Sequence, residues 1–290
     1  MLESAKKSLS VLIPTKNEER NVAMCIESVS WAGEVYVFDS MSSDRTVEIA
    51  VSLGAKVKQR SFDNFADHKN WALDNLPFKF DWLLILDADE RVTEDLYEEI
   101  SGVLKADDVA GYYIPRKNVF MGRWIRHGGW FPDYQLRLFR KGQAKYEKRI
   151  VHEHMVVNGP VGYLEKPMLH YDFKGLERYF DRHNTYSSME AVEAFRILKA
   201  KGASDHIEKG LKNIGPERRR YIKEFAYRFV PCRSLLKFFW MFVLKLGFLD
   251  GRIGFRYCLL HTFYEYQVSL KIEELNDNRS PMYEKYGHYL

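Results

Sequence analysis

Residues 81–89 read DWLLILDAD, an apolar run closed by two carboxylates one residue apart. The fold turns on reading Asp81–Leu86 as a buried strand that ends at Asp87. Upstream, the same punctuation repeats. Leu9–Pro14 (LSVLIP) is a short apolar run rich in β-branched residues, as in a buried parallel strand. Glu34–Asp39 (EVYVFD) is a second strand and Lys56–Arg60 (KVKQR) a third, more exposed one. Helical stretches separate them: one from the loop Thr15–Glu19 to Val29, one from Asp44 to Leu53, one over Phe65–Leu76. Thr93–Leu104 is helical after the fourth strand. Asp44 and Thr93 are expected N-caps, since their side chains can accept N–H groups of the first turn. Gly54 suits the residue just past a helix end. This βαβαβαβα order predicts an α/β fold with a mostly parallel sheet covered on both faces. Ligands bind such sheets outside the carboxyl ends of the strands. Those ends carry Thr15–Glu19, Asp39–Asp44 and Asp87–Asp89.

Over the whole 290 residues, 46% apolar and 29% charged content is that of a globular protein. It excludes a disordered chain, a collagen and a polytopic membrane protein. Cys25, Cys232 and Cys258 are odd in number and show no CxxC spacing, so neither a zinc site nor a disulfide framework is expected. The N-terminal stretch lacks a signal-peptide apolar region, and a reducing cytosol is the expectation. The net charge of +4 hides an asymmetry. Residues 1–110 hold 12 Lys and Arg against 21 Asp and Glu, whereas residues 211–260 hold 11 against 3. The basic rear points to an anionic partner, nucleic acid or lipid.

Residues 111–172 change character: GYYIPRKNVFMG, YQLRLFRKG and RIVHEHMVV read as mixed or antiparallel strands, with glycine turns at Gly128-Gly129 and Gly159. From about residue 175 the chain reads as helical and basic.

Asp87 and Asp89 offer hard oxygen ligands suited to Mg²⁺ or Mn²⁺, which can neutralise a diphosphate. A capping or solvated loop is the plainer alternative. His152 and His154 fall on one face of a strand-like segment with Glu153 opposite. One of them, His152 first, is a candidate metal ligand, with His154 and His170 as alternates.

The motifs PTKNEE, FDSMSSDRT, DHKNWALDN and LLILDADE together resemble family 2 glycosyltransferases of the GT-A fold. HGGWFPDYQLRLFR, VHE and GFLDGRIGF resemble one branch of that family, the bacterial lipopolysaccharide-core β-1,4-glucosyltransferases and their relatives. The resemblance spans essentially the whole chain. It implies a GT-A domain over 1–172, with a nucleotide-binding half (1–110) and an acceptor and catalytic half (111–172), then a basic helical region over 173–290. It also implies an inverting transfer of a sugar, glucose first, from a UDP-sugar to a lipid-linked glycan such as lipopolysaccharide core. Donor-binding residues would be Pro14, Thr15, Asn17, Glu18, Asp39, Lys69, Asp87, Ala88, Gly128, Gly129 and Arg137. Asp133 matches the family's catalytic base, the carboxylate that takes the acceptor hydroxyl's proton. Trp124, Trp130 or Tyr134 would stack on the acceptor sugar. The loop Asp39–Asp44 departs from the family by lacking its second acid and its glycine. Leu138-Phe139 stand where the family carries Arg-Trp.

Leu235–Leu249 (LLKFFWMFVLKLGFL) has an uninterrupted apolar run of only seven residues, Phe238–Leu244. A membrane-crossing helix needs roughly 20. On one continuous helix Arg233, Lys237 and Lys245 would fall at about 0°, 40° and 120°, a basic sector beside an apolar one. That pattern suits a helix lying in an anionic membrane surface, on the cytoplasmic side. A core helix or a dimer interface is the alternative. A non-enzymatic nucleic-acid binder is the rival reading of the basic rear, but no nucleic-acid motif supports it. A nucleotidyltransferase with a similar front half is a third reading.

Overall fold

The structure is a computed structural model that describes residues 8–105, 108–147, 154–171, 175–199 and 232–290. It divides into two compact units, Met1–Phe173 and Lys174–Leu290.

In the first unit, β1 (Leu9–Thr15), β2 (Glu34–Asp39), β3 (Lys56–Gln59) and β4 (Trp82–Ile85) alternate with α1 (Val22–Ser28), α2 (Thr46–Ser52) and α3 (Phe65–Asn75). A two-residue strand β5 (Glu90–Arg91) and helix α4 (Glu94–Val103) follow. Then come β6 (Gly111–Phe120), β7 (Arg123–Trp124), β8 (Asp133–Arg140), the hairpin β9 (Ala144–Tyr146) and β10 (Met155–Val157), β11 (Val161–Tyr163) and β12 (Met168–Tyr171). The main sheet has the order β3-β2-β1-β4-β8-β6-β12-β5, with β11 and β7 also paired to β6. Strands β3, β2, β1 and β4 are mutually parallel. β8 lies antiparallel between β4 and β6, and β12 runs parallel to β6.

The parallel half is apolar on both faces because successive side chains alternate. Leu9, Val11, Ile13, Leu84 and Leu86 join one core with Ile26, Ala50 and Ile100 from α1, α2 and α4. Leu12, Leu83 and Ile85 join the other, with Phe38 and with Ala66, Ala72 and Leu76 of and after α3.

Local signals act as expected at several ends. Thr93 Oγ1 accepts the Leu96 N–H at 3.3 Å. Thr93→Ala is expected to cost about 1 kcal/mol, read as a lower urea midpoint for the first unit. Gly54 takes φ +80°, the left-handed region that favours glycine. α2 begins at Thr46 with Arg45 as its N-cap, so Asp44 sits one residue earlier than expected. The Asp44 carboxylate still accepts the Thr46 N–H at 3.1 Å.

In the second unit, α5 (Gly175–Lys199) and α7 (Gly251–Glu274) pack together, with Ala191, Val192, Val268, Leu275 and Met282 in their core. α6 (Arg233–Phe239) precedes α7, and α8 (Pro281–Tyr286) follows it. The single in-plane helix expected over 235–249 is not formed. α6 passes into a π-helical turn at Trp240–Leu244, Leu246 takes φ +58°, and a 3₁₀ turn spans Gly247–Asp250. The π-helical turn between Lys237 and Lys245 departs from the regular 100° rotation on which the basic sector depended, and the left-handed Leu246 then ends the helix. Two cations of that sector face inward. Lys237 Nζ lies 2.7 Å from Glu265 Oε1, and Arg233 Nη2 donates to the Glu265 carbonyl at 3.0 Å. The run Arg218-Arg219-Arg220, with Lys223 and Arg228, lies outside the described residues. Among the described residues, no helix is long and apolar enough to cross a membrane.

Candidate active site

Topology collects the candidate residues. Parallel β1, β2 and β4 present their carboxyl ends at one edge of the sheet. Antiparallel β8 brings its opposite end there, because Leu84 pairs with Leu138 and so Asp133–Arg137 overhang the end of β4. β6, parallel to β4, contributes Arg116 and Asn118, and β12 contributes His170.

The first two strand ends are cross-linked by Asp39. This buried carboxylate accepts from Thr15 Oγ1 at 2.9 Å, Gln59 Nε2 at 3.0 Å and the Ser42 N–H at 2.8 Å. Burial alone would raise its pKa, but the donors from Ser42, Gln59 and Thr15 lower it, so it stays a carboxylate. Asn17, at φ +54°, ties the first loop to the second, accepting the Ser43 N–H at 2.9 Å. The Glu18 N–H donates to Thr46 Oγ1 at 2.7 Å. Asp39 therefore organises the loops that follow β1 and β2.

The turn after β4 is held by a residue that the sequence reading left without a role. Glu90 is fully buried, and its Oε2 reaches back to accept the Asp87 N–H at 3.0 Å. Arg137 Nη2 bridges Asp87 Oδ2 at 2.5 Å and Glu90 Oε1 at 2.7 Å. Charges as buried as those of Arg137 and Glu90 must be paired, or the chain meets a large desolvation cost. Burial would raise the Asp87 carboxyl, but the Arg137 guanidinium overrides it and holds it far below the usual carboxylate range. For Glu90 burial wins, and its pKa is raised. Ala88 turns into the core, which leaves the side chains of Asp87 and Asp89 on the other side of the turn.

Asp133 is held as tightly. Its Oδ2 accepts from Arg116 Nε at 2.9 Å, Arg116 Nη2 at 2.7 Å and Asn118 Nδ2 at 3.3 Å, while Oδ1 accepts from Gln135 Nε2 at 2.9 Å. Arg116 also approaches Glu90 Oε1 at 3.5 Å. Because Asp133 is acceptor-only, Asn118 turns its amide nitrogen there and its oxygen to His170 Nδ1 at 2.8 Å. His170 Nδ1 therefore donates to Asn118, and its Nε2 lies 3.5 Å from Asp89 Oδ2. The contacts run without a break from Asp87 through Arg137, Glu90, Arg116, Asp133, Asn118 and His170 to Asp89.

Of the three histidines considered, the structure brings His170 to the acid pair. His154 lies exposed immediately before β10, and His152 lies outside the described residues. Lys69 Nζ sits 4.7 Å from the Tyr146 ring and contributes to lowering Asp87. Gly128 and Gly129 take φ +72° and +83°, a turn that side chains would strain. Pro14 is half-buried beneath the first loop. Trp124 packs edge-on to Phe131, with Lys117 Nζ 4.6 Å from its ring, while the partly exposed Tyr134 meets Tyr163 edge-on. Sequence reasoning missed Glu90, Arg116, Asn118 and His68. The signal for Arg116 and Asn118 was their period-2 spacing in IPRKNVF, which places both on one strand face. Neutral His68 is buried beneath the second loop, beside Ser40 Oγ at 2.9 Å, and burial with nearby Arg60 lowers its pKa.

Among the described residues, no three His, Cys, Asp or Glu side chains form a ready metal cage. Two carboxylates still fit a hard divalent cation of the Mg²⁺ type, which is commonly held by one or two carboxylates together with substrate phosphates.

A parallel sheet with polar strand ends, an acid pair after β4 and an antiparallel strand delivering a further carboxylate beside it define a GT-A glycosyltransferase. The chain belongs to glycosyl transferase family 2, whose model matches residues 10–161. An uncharacterized glycosyltransferase of Rickettsia bellii is 29% identical over 97% of this chain and 91% of its own length. The lipopolysaccharide core biosynthesis glycosyltransferase LpsC of Rhizobium meliloti is 29% identical over 64% of this chain and 71% of its own. Among solved structures, glucosyl-3-phosphoglycerate synthase from Mycobacterium tuberculosis, in complex with Mn²⁺, UDP and glucosyl-3-phosphoglycerate, is similar with a TM-score of 0.33 and 24% identity. That match covers 38% of this chain and 45% of the synthase.

Proposed function

We propose that this glycosyltransferase moves a sugar, glucose first, from a UDP-sugar to a hydroxyl of a lipid-linked glycan of the lipopolysaccharide-core type, with inversion. The observation that carries this reading is the unbroken chain of contacts joining the acid pair Asp87/Asp89 to Asp133. It would hold a leaving-group site and a base in fixed relation to one another, as a direct displacement requires. The likeness of the chain to LpsC supports the acceptor class.

The first two loops, organised by Asp39 with Thr15, Asn17 and Glu18, would receive the nucleotide, with Pro14 beneath them. Lys69 would approach its phosphates, and the backbone at Ala88, Gly128 and Gly129 would allow close approach of the donor. Asp87 and Asp89, with His170 as the adjoining ring nitrogen, would hold Mn²⁺ or Mg²⁺. When bound, that ion neutralises the diphosphate leaving group. Arg137 would keep Asp87 ionised and in place. Asp133 Oδ2 is saturated by Arg116 and Asn118, so Oδ1 would take the acceptor hydroxyl's proton. The hydroxyl oxygen then bonds to the anomeric carbon as the bond to UDP breaks. The acceptor's lipid would place the enzyme peripherally at the inner face of the cell membrane, on an anionic surface.

A screen of nucleotide sugars for donor hydrolysis with Mn²⁺ and Mg²⁺ tests the class. UDP release from one donor is expected. Release of pyrophosphate, or no turnover of any nucleotide sugar with either cation, would overturn the reading. Glu90→Gln tests the turn. The amide can still accept from Arg137, but it offers a donor where the Asp87 N–H needs an acceptor. Mn²⁺ affinity in the presence of UDP is expected to fall about tenfold or more, measured by titration calorimetry.

A further inference from the structure

The second unit presents an unusual surface at the turn between α6 and α7. Large apolar side chains there point outward: Leu244 is 62% exposed, and Leu246, Phe248 and Leu249 around the same corner are each about half exposed. α6 continues the surface with Leu235, Leu236 and Phe239. On α7, Phe255, Leu259, Phe263, Tyr266 and Leu270 are all exposed. At 100° per residue these five fall within about 80° of one another, one continuous stripe. The opposite face of α7 is already used by Val268, Cys258 and Glu265, which are buried. Exposed apolar surface this extensive marks an interaction site.

Charge identifies the occupant. Between residues 232 and 272 the only acids are Asp250 and Glu265, and both are buried. Glu265 is turned inward to Lys237. Of the charges that remain at the surface, Lys245 and Arg252 are exposed and Arg256 is half-exposed. Lys245 Nζ stands 5.3 Å from the ring of Trp240, itself partly exposed. Among the described residues from Cys232 to Ile272 the outward face is thus apolar and cationic; the exposed carboxylates of α7, Glu273 and Glu274, lie at its far end, away from the α6–α7 corner. A protein partner of mixed charge does not call for that; an anionic bilayer does.

We infer that the α6–α7 corner inserts into an anionic lipid surface, with Leu246, Phe248 and Leu249 among the acyl chains and Lys245 and Arg252 at the phosphates. This deepens the membrane location proposed above and is independent of the transfer chemistry. It also reassigns the charges: Arg233 and Lys237 hold the helix pair together and do not meet lipid.

The test uses the full chain and vesicles of phosphatidylglycerol with phosphatidylethanolamine, against phosphatidylcholine alone, without UDP. The wild type is expected to cosediment with the anionic vesicles. L246S/F248S/L249S should lose at least about tenfold in vesicle affinity. K245E/R252E should lose about fivefold or more per cation, most strongly at low salt. K237Q should leave vesicle affinity unchanged while lowering thermal stability. Brominated acyl chains should quench Trp240, and W240F should lose most of that quenching. A wild type that ignores anionic vesicles overturns the proposal, as does a concentration-dependent dimer that the triple substitution breaks. Vesicle release by K237Q equal to that of K245E/R252E would overturn the reassignment. UDP release from donor alone, assayed without vesicles, reports separately on the chemistry.

Discussion

Asp89→Ala is expected to abolish metal-dependent UDP binding and to lower transfer by roughly 10²–10³-fold, the scale of losing one electrostatic stabiliser of a leaving group. The fold should survive. The turn that carries Asp89 is held by groups the substitution leaves in place: the Asp87 N–H on Glu90, the Glu90 N–H on the Asp87 carbonyl, and the Tyr171 N–H on the Asp89 carbonyl. The long contact to His170 Nε2 is lost. Asp87→Ala is a poorer probe, because it strips the buried Arg137 of one of its two carboxylates. The measurement pairs UDP affinity with and without Mn²⁺ against a thermal melt. Full transfer by the Asp89→Ala protein, or by the wild type in EDTA, would overturn the assignment of the acid pair to a cation.

The parallel half of the fold was legible because β1, β2 and β4 are apolar runs ending in polar residues, and those ends carry the candidate site. Asp39, Asp87, Asp89 and Asp133 could be nominated from that rule and from family resemblance. The network that joins them could not. β5 is two charged residues, Glu-Arg, and nothing local marks them as strand. Glu90 becomes a buried organiser only because β12 returns to pair with β5, Leu169 and His170 opposite Arg91 and Glu90, and with β6, Met168–Tyr171 opposite Arg116–Val119. That pairing spans about 80 residues of chain and leaves no periodic trace. The same limit applies to the second unit. The helical projection of Arg233, Lys237 and Lys245 presumed a regular α-helix, and the π-helical turn at Trp240–Leu244 interrupts it before Lys245. The partner of Lys237 lies 28 residues away on α7, so its inward orientation is a tertiary fact.

Asp133→Asn is expected to keep the donor bound and to lower transfer by about 10²-fold or more, the usual scale for a general base. The amide is nearly isosteric. Its oxygen can keep the position of Oδ2 and go on accepting from both Arg116 nitrogens and from Asn118. Its nitrogen then takes the place of Oδ1, where Gln135 Nε2 now donates, and Gln135 must turn its own amide to present an oxygen. These adjustments stay within the site, and Arg116 keeps its approach to Glu90 at 3.5 Å. What the variant cannot do is take a proton at neutral pH, so the acceptor hydroxyl attacks without a base. The expected signature is a fall in kcat with the donor KM unchanged, and UDP affinity equal to that of the wild type. Slow hydrolysis of the donor by water should fall less than transfer. If donor affinity collapses while the protein remains folded, Asp133 is a donor-binding carboxylate held by Arg116, and the base must be sought elsewhere along the same edge of the sheet.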